Sequence, residues 1–146
     1  MFAAVDPPRA SAKIFPVAME KFAPLSILIV DDEPLIRWSM AETLSSDGYL
    51  VSEAGSADEA LRELVSAPVP DIILLDFRLP DSNDLKLLET IRRLAPGTAV
   101  VMMTAYGAPD VVAGAIQPGA YRVVNKPVDL GDLPALVREA YAARPE

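Results

Sequence analysis

From Ser26 onward the chain alternates two hydrophobic periodicities, and that alternation limits its possible folds more than any other feature. Ile27-Leu28-Ile29-Val30 is an unbroken, largely β-branched run of the kind that sheets bury on both faces. Pro34 to Ser46 follows with Leu35, Ile36, Met40 and Leu44 at helical spacing, and Asp47-Gly48 closes it. Leu50 to Ala54 reads as a second strand. Ser56, with Glu59 three residues on, forms a capping box that opens a helix through about Ser66. Ile72-Ile73-Leu74-Leu75 is a third buried strand ending at Asp76, and Leu85 to Leu94 is a helix stopped by Pro96-Gly97. Ala99 to Met103 is a fourth strand ending at Thr104, and a helix from about Pro109 to Gln117 stops at Pro118-Gly119. Tyr121 to Val124 is the fifth strand, and Leu130 to Ala143 a last helix with Pro134 in its first turn. Five strand–helix pairs in strict alternation predict an α/β fold: a doubly wound (βα)5 parallel sheet with helices on both faces.

Length allows one such domain and no second core, at 146 residues. Met1 to Leu25 differs from the rest: it carries Pro7, Pro8, Pro16 and Pro24 without sustained periodicity, and reads as a flexible extension. A true start at Met19 is the other reading. The opening apolar stretch stops at Asp6, too short for a signal peptide, and no apolar run approaches the ~20 residues of a membrane span. The expected setting is cytoplasmic, with no membrane contact. Cysteine and histidine are both absent, which excludes disulfides, thiolate or imidazole metal sites, and triads built on either residue. A formal charge of −8 argues against direct nucleic-acid binding, which draws on neutralised phosphates. Carboxylates, hydroxyls, lysines and any metal they hold are the chemistry left.

Ligands of open α/β sheets bind beyond the carboxyl ends of the strands. The first strand ends in Asp31-Asp32-Glu33, the third in Asp76, the fourth in Thr104 and the fifth in Asn125-Lys126-Pro127; the second ends in Ala54-Gly55, which carries no chemistry. Clustered carboxylates repel one another, and taking them out of water is costly. A divalent cation resolves that conflict, and an oxygen-only donor set points to Mg²⁺ or a similar hard ion. Taken singly, each residue has a plainer explanation. Asp31 suits a helix cap, and Lys126 could be a surface side chain reaching out from the sheet. No G-x-x-x-x-G-K-[ST] loop and no G-x-G-x-x-G fingerprint is present, so neither a P-loop nor a dinucleotide fold is expected. It is the conjunction of all of them on one rim that argues for a site.

Those residues also resemble the receiver domain of two-component response regulators. The likeness runs through Ile27-Leu28-Ile29-Val30-Asp31-Asp32-Glu33-Pro34, Asp71-Ile72-Ile73-Leu74-Leu75-Asp76, and Arg78-Leu79-Pro80-Asp81. It continues in Met103-Thr104-Ala105-Tyr106-Gly107, Gly119-Ala120-Tyr121 and Asn125-Lys126-Pro127. The wording Asp-Asp-Glu-Pro-Leu-Ile-Arg-Trp and Thr-Ala-Tyr-Gly is most similar to receivers of the sigma-54 activator type. The resemblance implies a flavodoxin-like sheet of order 2-1-3-4-5 with a receiver domain over 26–144; with Glu146 just past the last helix the expectation is no output domain, the other reading being a fragment of a longer activator.

It further implies that Asp76 is a phosphoacceptor attacking a phosphohistidine on a sensor histidine kinase or phosphotransfer protein. Asp31, Asp32, Asp76 and the backbone carbonyl of Arg78 would hold Mg²⁺, Lys126 would pair with a phosphoryl oxygen, and Thr104 would donate to another. Ala105 would leave the phosphoryl group room, and Lys126–Pro127 would be a cis bond. Such a protein is not an enzyme in the usual sense: it catalyses its own phosphorylation and, with Arg78 and Tyr106 shielding the site, a slow dephosphorylation. It signals by contact with a downstream protein target, and a homodimer through the face between the fourth and fifth helices is a further partner to test.

Three positions depart from the family pattern: Asp84 where a glycine is usual, Val123 where an aromatic switch residue is usual, and Pro118 ending the fourth helix. Together they bear on the signalling face and leave the phosphorylation residues untouched. Two other classes of function compete. One is a receiver-like scaffold that binds partners without phosphorylation, against which the full set Asp31, Asp32, Asp76, Thr104 and Lys126 argues. The other is a dehalogenase-type phosphatase, which needs a second acid where this chain has Arg78.

Overall fold

In a computed structural model, residues 24–82, 85–105, 114 and 119–144 are described. The segment up to residue 23, the helix expected at 109–117 apart from residue 114, and Asp84, Tyr106 and Pro118 lie outside the described residues. The elements are β1 (Ser26–Val30), α1 (Pro34–Ser46), β2 (Leu50–Ala54), α2 (Ala57–Ser66), β3 (Ile72–Asp76), α3 (Lys86–Leu94), β4 (Ala99–Thr104), β5 (Arg122–Asn125) and α4 (Leu133–Ala142). The strands form one parallel sheet in the order β2-β1-β3-β4-β5, the order the resemblance implied.

Successive residues of the inner strands feed opposite faces. Ile27, Ile29, Ile72, Leu74, Val101 and Met103 pack with α1 and α4, whereas Leu28, Val30, Ile73, Leu75, Val100 and Met102 pack with α2 and α3. Both faces being covered, these strands read as unbroken apolar runs rather than alternating ones. Each of the large side chains buried there contributes about 1.5–3 kcal/mol.

Several boundaries differ from the sequence reading, for local reasons. The last helix starts at Leu133 rather than Leu130, because Asp129 draws the chain into a turn first: its Oδ1 accepts the Gly131 N–H at 2.9 Å and its carbonyl the Asp132 N–H at 3.0 Å. The expected capping box is half formed. Ser56 Oγ accepts the Glu59 N–H at 3.1 Å, but Glu59 Oε1 takes the N–H of Gly55, at 2.7 Å, rather than that of Ser56. Helix α1 ends as Asp47-Gly48 predicted, with Gly48 at φ +97°, a conformation glycine adopts without a Cβ penalty.

Candidate functional site

Because the sheet is parallel, β1, β3, β4 and β5 deliver their terminal residues to one rim. Asp31 is fully buried there, and its N–H extends the β1–β2 ladder to Ala54 O at 3.0 Å. Its Oδ1 accepts the Glu33 N–H at 2.9 Å, tightening the turn into α1, where Pro34 opens the helix. The capping role foreseen for Asp31 is not formed: Glu33 is the N-cap and no side chain caps α1, so the Oδ1 bond makes a turn ahead of the helix and occupies only one oxygen. Oδ2 is buried, receives no hydrogen bond of ordinary geometry, and has the Lys126 ammonium 3.0 Å away. Asp32 is exposed beside it.

Asp76 is the last residue of β3 and is buried. Its Oδ1 accepts the Arg78 N–H at 3.1 Å and its Oδ2 accepts Lys126 Nζ at 3.0 Å. Thr104, also buried, ends β4 one residue beyond Met103, the register partner of Asp76. Its carbonyl accepts the Lys126 N–H at 2.7 Å, and this bond extends the β4–β5 ladder and brings the lysine over the rim. The following Lys126–Pro127 bond is cis, as expected. Nζ also donates to Glu33 Oε1 at 2.9 Å.

The charges perturb one another. Burial pushes the Asp76 carboxyl above its ordinary range; the Lys126 and Arg78 hydrogen bonds oppose that shift, and the Asp31 charge adds to it. Burial works to lower the Lys126 ammonium, yet Glu33, Asp31 and Asp76 together prevail and hold it above the ordinary lysine value. Asp31, Asp32 and Asp76 each offer a carboxylate oxygen, all within 4.8 Å of one another. An oxygen-only set that includes the buried Asp31 Oδ2, which receives no hydrogen bond of ordinary geometry, fits a hard divalent cation.

The structure therefore brings Asp31, Asp32, Asp76, Thr104 and Lys126 to one rim. The Arg78 side chain is exposed. Tyr121 packs on the face of α1 and α4 while Val123 packs on the opposite one, so Tyr121 does not stand in for the aromatic that Val123 replaces. Three contacts near the rim were not visible in the sequence: Glu33 on Lys126, Arg37 on the Asp31 carbonyl at 2.7 Å, and Asp81 accepting the Ala57 and Asp58 N–H groups at 2.8 and 3.0 Å. The two N–H groups at the start of α2 hold the Asp81 carboxyl below its ordinary value.

Residues 27–138 match the family model of the response regulator receiver domain. PilR, a response regulator protein of Pseudomonas aeruginosa, is 43% identical over 117 residues, covering 80% of this chain and 26% of PilR. NtrC of Escherichia coli, a DNA-binding transcriptional regulator, is 34% identical over 114 residues, covering 78% of this chain and 24% of NtrC. The crystal structure of a CheY-like receiver domain protein from Methanospirillum hungatei superposes with a TM-score of 0.77 at 32% identity, over 82% of this chain and 95% of that one. The chain thus spans about a quarter of the length of these curated relatives. The exclusion of nucleic acid drawn from charge is corrected accordingly. It describes an acidic unit equivalent to one quarter of proteins that include a regulator named for DNA binding, and it does not extend to such proteins whole. No helix among the described residues is long and apolar enough to cross a membrane.

Proposed function

The chain belongs to the response regulator receiver domain family, and from that premise we propose that Asp76 accepts a phosphoryl group from a phosphohistidine on a sensor histidine kinase or phosphotransfer protein. An Asp76 carboxylate oxygen attacks phosphorus, the P–N bond breaks, its electron pair leaves with the imidazole, and an acyl phosphate remains. The observation that carries this reading is the placement of Asp76 at the end of β3 among Asp31, Asp32 and Lys126, with Lys126 Nζ 3.0 Å from its Oδ2. Magnesium held by Asp31, Asp32, Asp76 and the Arg78 carbonyl would supply charge compensation for the incoming phosphoryl oxygens. Lys126 then pairs with one phosphoryl oxygen and the Thr104 hydroxyl donates to another. Ala105 adds no bulk. The protein works as a switch unit over 26–144 rather than as an enzyme that turns over a separate substrate, and it passes its state to a downstream protein. An apolar groove lined by Ile36, Met40, Pro127, Val128 and Leu130 adjoins the rim, which favours a protein donor.

The test is intact-mass measurement after incubation with acetyl phosphate or phosphoramidate and Mg²⁺. A gain of one phosphoryl group is expected, absent in Asp76→Asn and absent when the metal is chelated. No gain in the native chain, or an undiminished gain in Asp76→Asn, would overturn the assignment.

A further inference from the structure

The β1–β2 ladder is closed at the rim by side chains. After Asp31 N–H pairs with Ala54 O, the next acceptor and donor in line are Asp31 O and Ser56 N–H, and no backbone hydrogen bond joins them. Arg37, in the first turns of α1, donates from Nη1 to Asp31 O at 2.7 Å, while its Nε holds Glu53 Oε1 on β2 at 2.9 Å. Glu59 takes the Gly55 N–H. The oxygen that Arg37 holds belongs to the peptide joining Asp31 to Asp32, so its grip fixes the plane from which both carboxylates depart. A side chain at residue 55 would crowd this arrangement, since a Cβ there would lie 3.1 Å from Arg37 Nη1.

We infer that Arg37 is a positioning residue that sets the Mg²⁺ affinity of the rim by orienting the Asp31–Asp32 peptide, with Glu53 holding the guanidinium in register. The inference rests on the reading of Asp31, Asp32 and Asp76 as a magnesium site. The guanidinium serves Glu53 through Nε and the carbonyl through Nη1, two donors at a fixed separation, whereas a lysine offers one nitrogen on a flexible stem. Groups that orient metal ligands typically change affinity by about tenfold or more when removed.

The experiment titrates Mg²⁺ against two readouts, the melting temperature and the rate of phosphorylation by acetyl phosphate, in the native chain, Arg37→Ala and Arg37→Lys. Arg37→Ala is expected to raise the Mg²⁺ half-saturation about tenfold in both readouts while the rate at saturating Mg²⁺ is kept, and Arg37→Lys is expected not to restore it. An unchanged half-saturation in Arg37→Ala, a rate that falls at saturation with half-saturation unchanged, or full recovery in Arg37→Lys overturns the inference. Should Arg37→Ala melt too low to titrate, Glu53→Ala, which removes the carboxylate that holds the guanidinium, answers by the same criterion. A native chain that shows no Mg²⁺ response in either readout sinks the metal site itself, a failure distinct from that of Arg37.

Discussion

Replacing Asp76 by Asn should make the metal-free protein more stable. The substitution keeps the shape of the side chain and removes one charge from a crowded rim. At an effective dielectric of about 20, each like-charge contact within 4.8 Å costs at least about 3.5 kcal/mol, and the Lys126 contact at 3.0 Å returns about 5.5 kcal/mol. Asp31 repels in full and exposed Asp32 only in part, so these charges about balance the one attraction, and the burial of Asp76, the largest cause of its raised carboxyl, decides the sign. That leaves about 1–2 kcal/mol in favour of Asn. For a domain of this size that raises the melting temperature by about 4–8 °C.

The pH dependence follows in sign from the raised carboxyl of Asp76. A group whose pKa is higher folded than unfolded contributes stability that is complete below its ordinary value of 3.8 and is lost as pH rises through the folded value. The native chain thus carries the penalty at neutral pH and sheds it in acid, while the Asn variant never has it. The assay is calorimetric melting of both proteins in chelator, at neutral pH and near pH 4, and again with Mg²⁺ at neutral pH. The gap should close on acidification and shrink with Mg²⁺, which relieves the native rim more than the variant. An Asn variant that melts at or below the native chain at neutral pH, or a gap indifferent to pH, would refute the charge-crowding argument.

Other outcomes can be checked with the same proteins and simple assays. Mg²⁺ at a hundred times its dissociation constant should add about 2.7 kcal/mol to stability, and this gain should largely vanish in Asp32→Ala when measured by thermal melting. Lys126→Ala leaves Asp31 and Asp76 buried without a cation and should cost about 3 kcal/mol in chelator; the variant should still take up phosphoryl groups by mass, with weaker phosphorylation-dependent shifts in NMR spectra. Loss of the phosphorylated mass should be slow in the native chain and faster in Arg78→Ala/Tyr106→Ala, if those side chains hinder the attacking water. Asp81, its carboxyl held low by two N–H groups, contributes stability present above its ordinary 3.8 and lost as pH falls through its folded value; acid melts of Asp81→Asn should lack that part of the decline.

What the sequence makes legible depends on how local the deciding physics is. Ile27 to Val30 and Ile72 to Leu75 are unmistakable because burial on both faces leaves no room for polar residues. The fifth strand is an edge strand, half exposed, and its span shifts by one residue from Tyr121–Val124 to Arg122–Asn125. The start of the last helix moves because the Asp129 side chain offers the Gly131 N–H a competing partner. Asp31, Asp32, Asp76, Thr104 and Lys126 are readable as a set because a parallel sheet must bring all its strand ends to one rim. Their partners are not. Glu33 reaches Lys126 across 93 residues and Arg37 reaches Glu53 across 16, contacts fixed only once α1 has packed against the sheet.

The same packing leaves one lysine among four acids. Asp31, Glu33 and Asp76 contact Lys126 and Asp32 lies beside Asp31 and Asp76, so the rim retains a net charge of about −3. Phosphorylation of Asp76 exchanges one carboxylate charge for a group that carries about −1.5 to −2. Lys126 cannot offset both the resident excess and the added charge, so the native acids leave the site short of positive charge whatever its phosphorylation state. A site with a second lysine in place of Glu33 would carry about −1 before any ion bound instead of about −3, and its affinity for a divalent ion would fall. On the proposed function, the acidic excess would tie phosphoryl uptake to a cation, with Asp31 fixed in the backbone turn through Oδ1 and its Oδ2 turned to the rim beside Lys126.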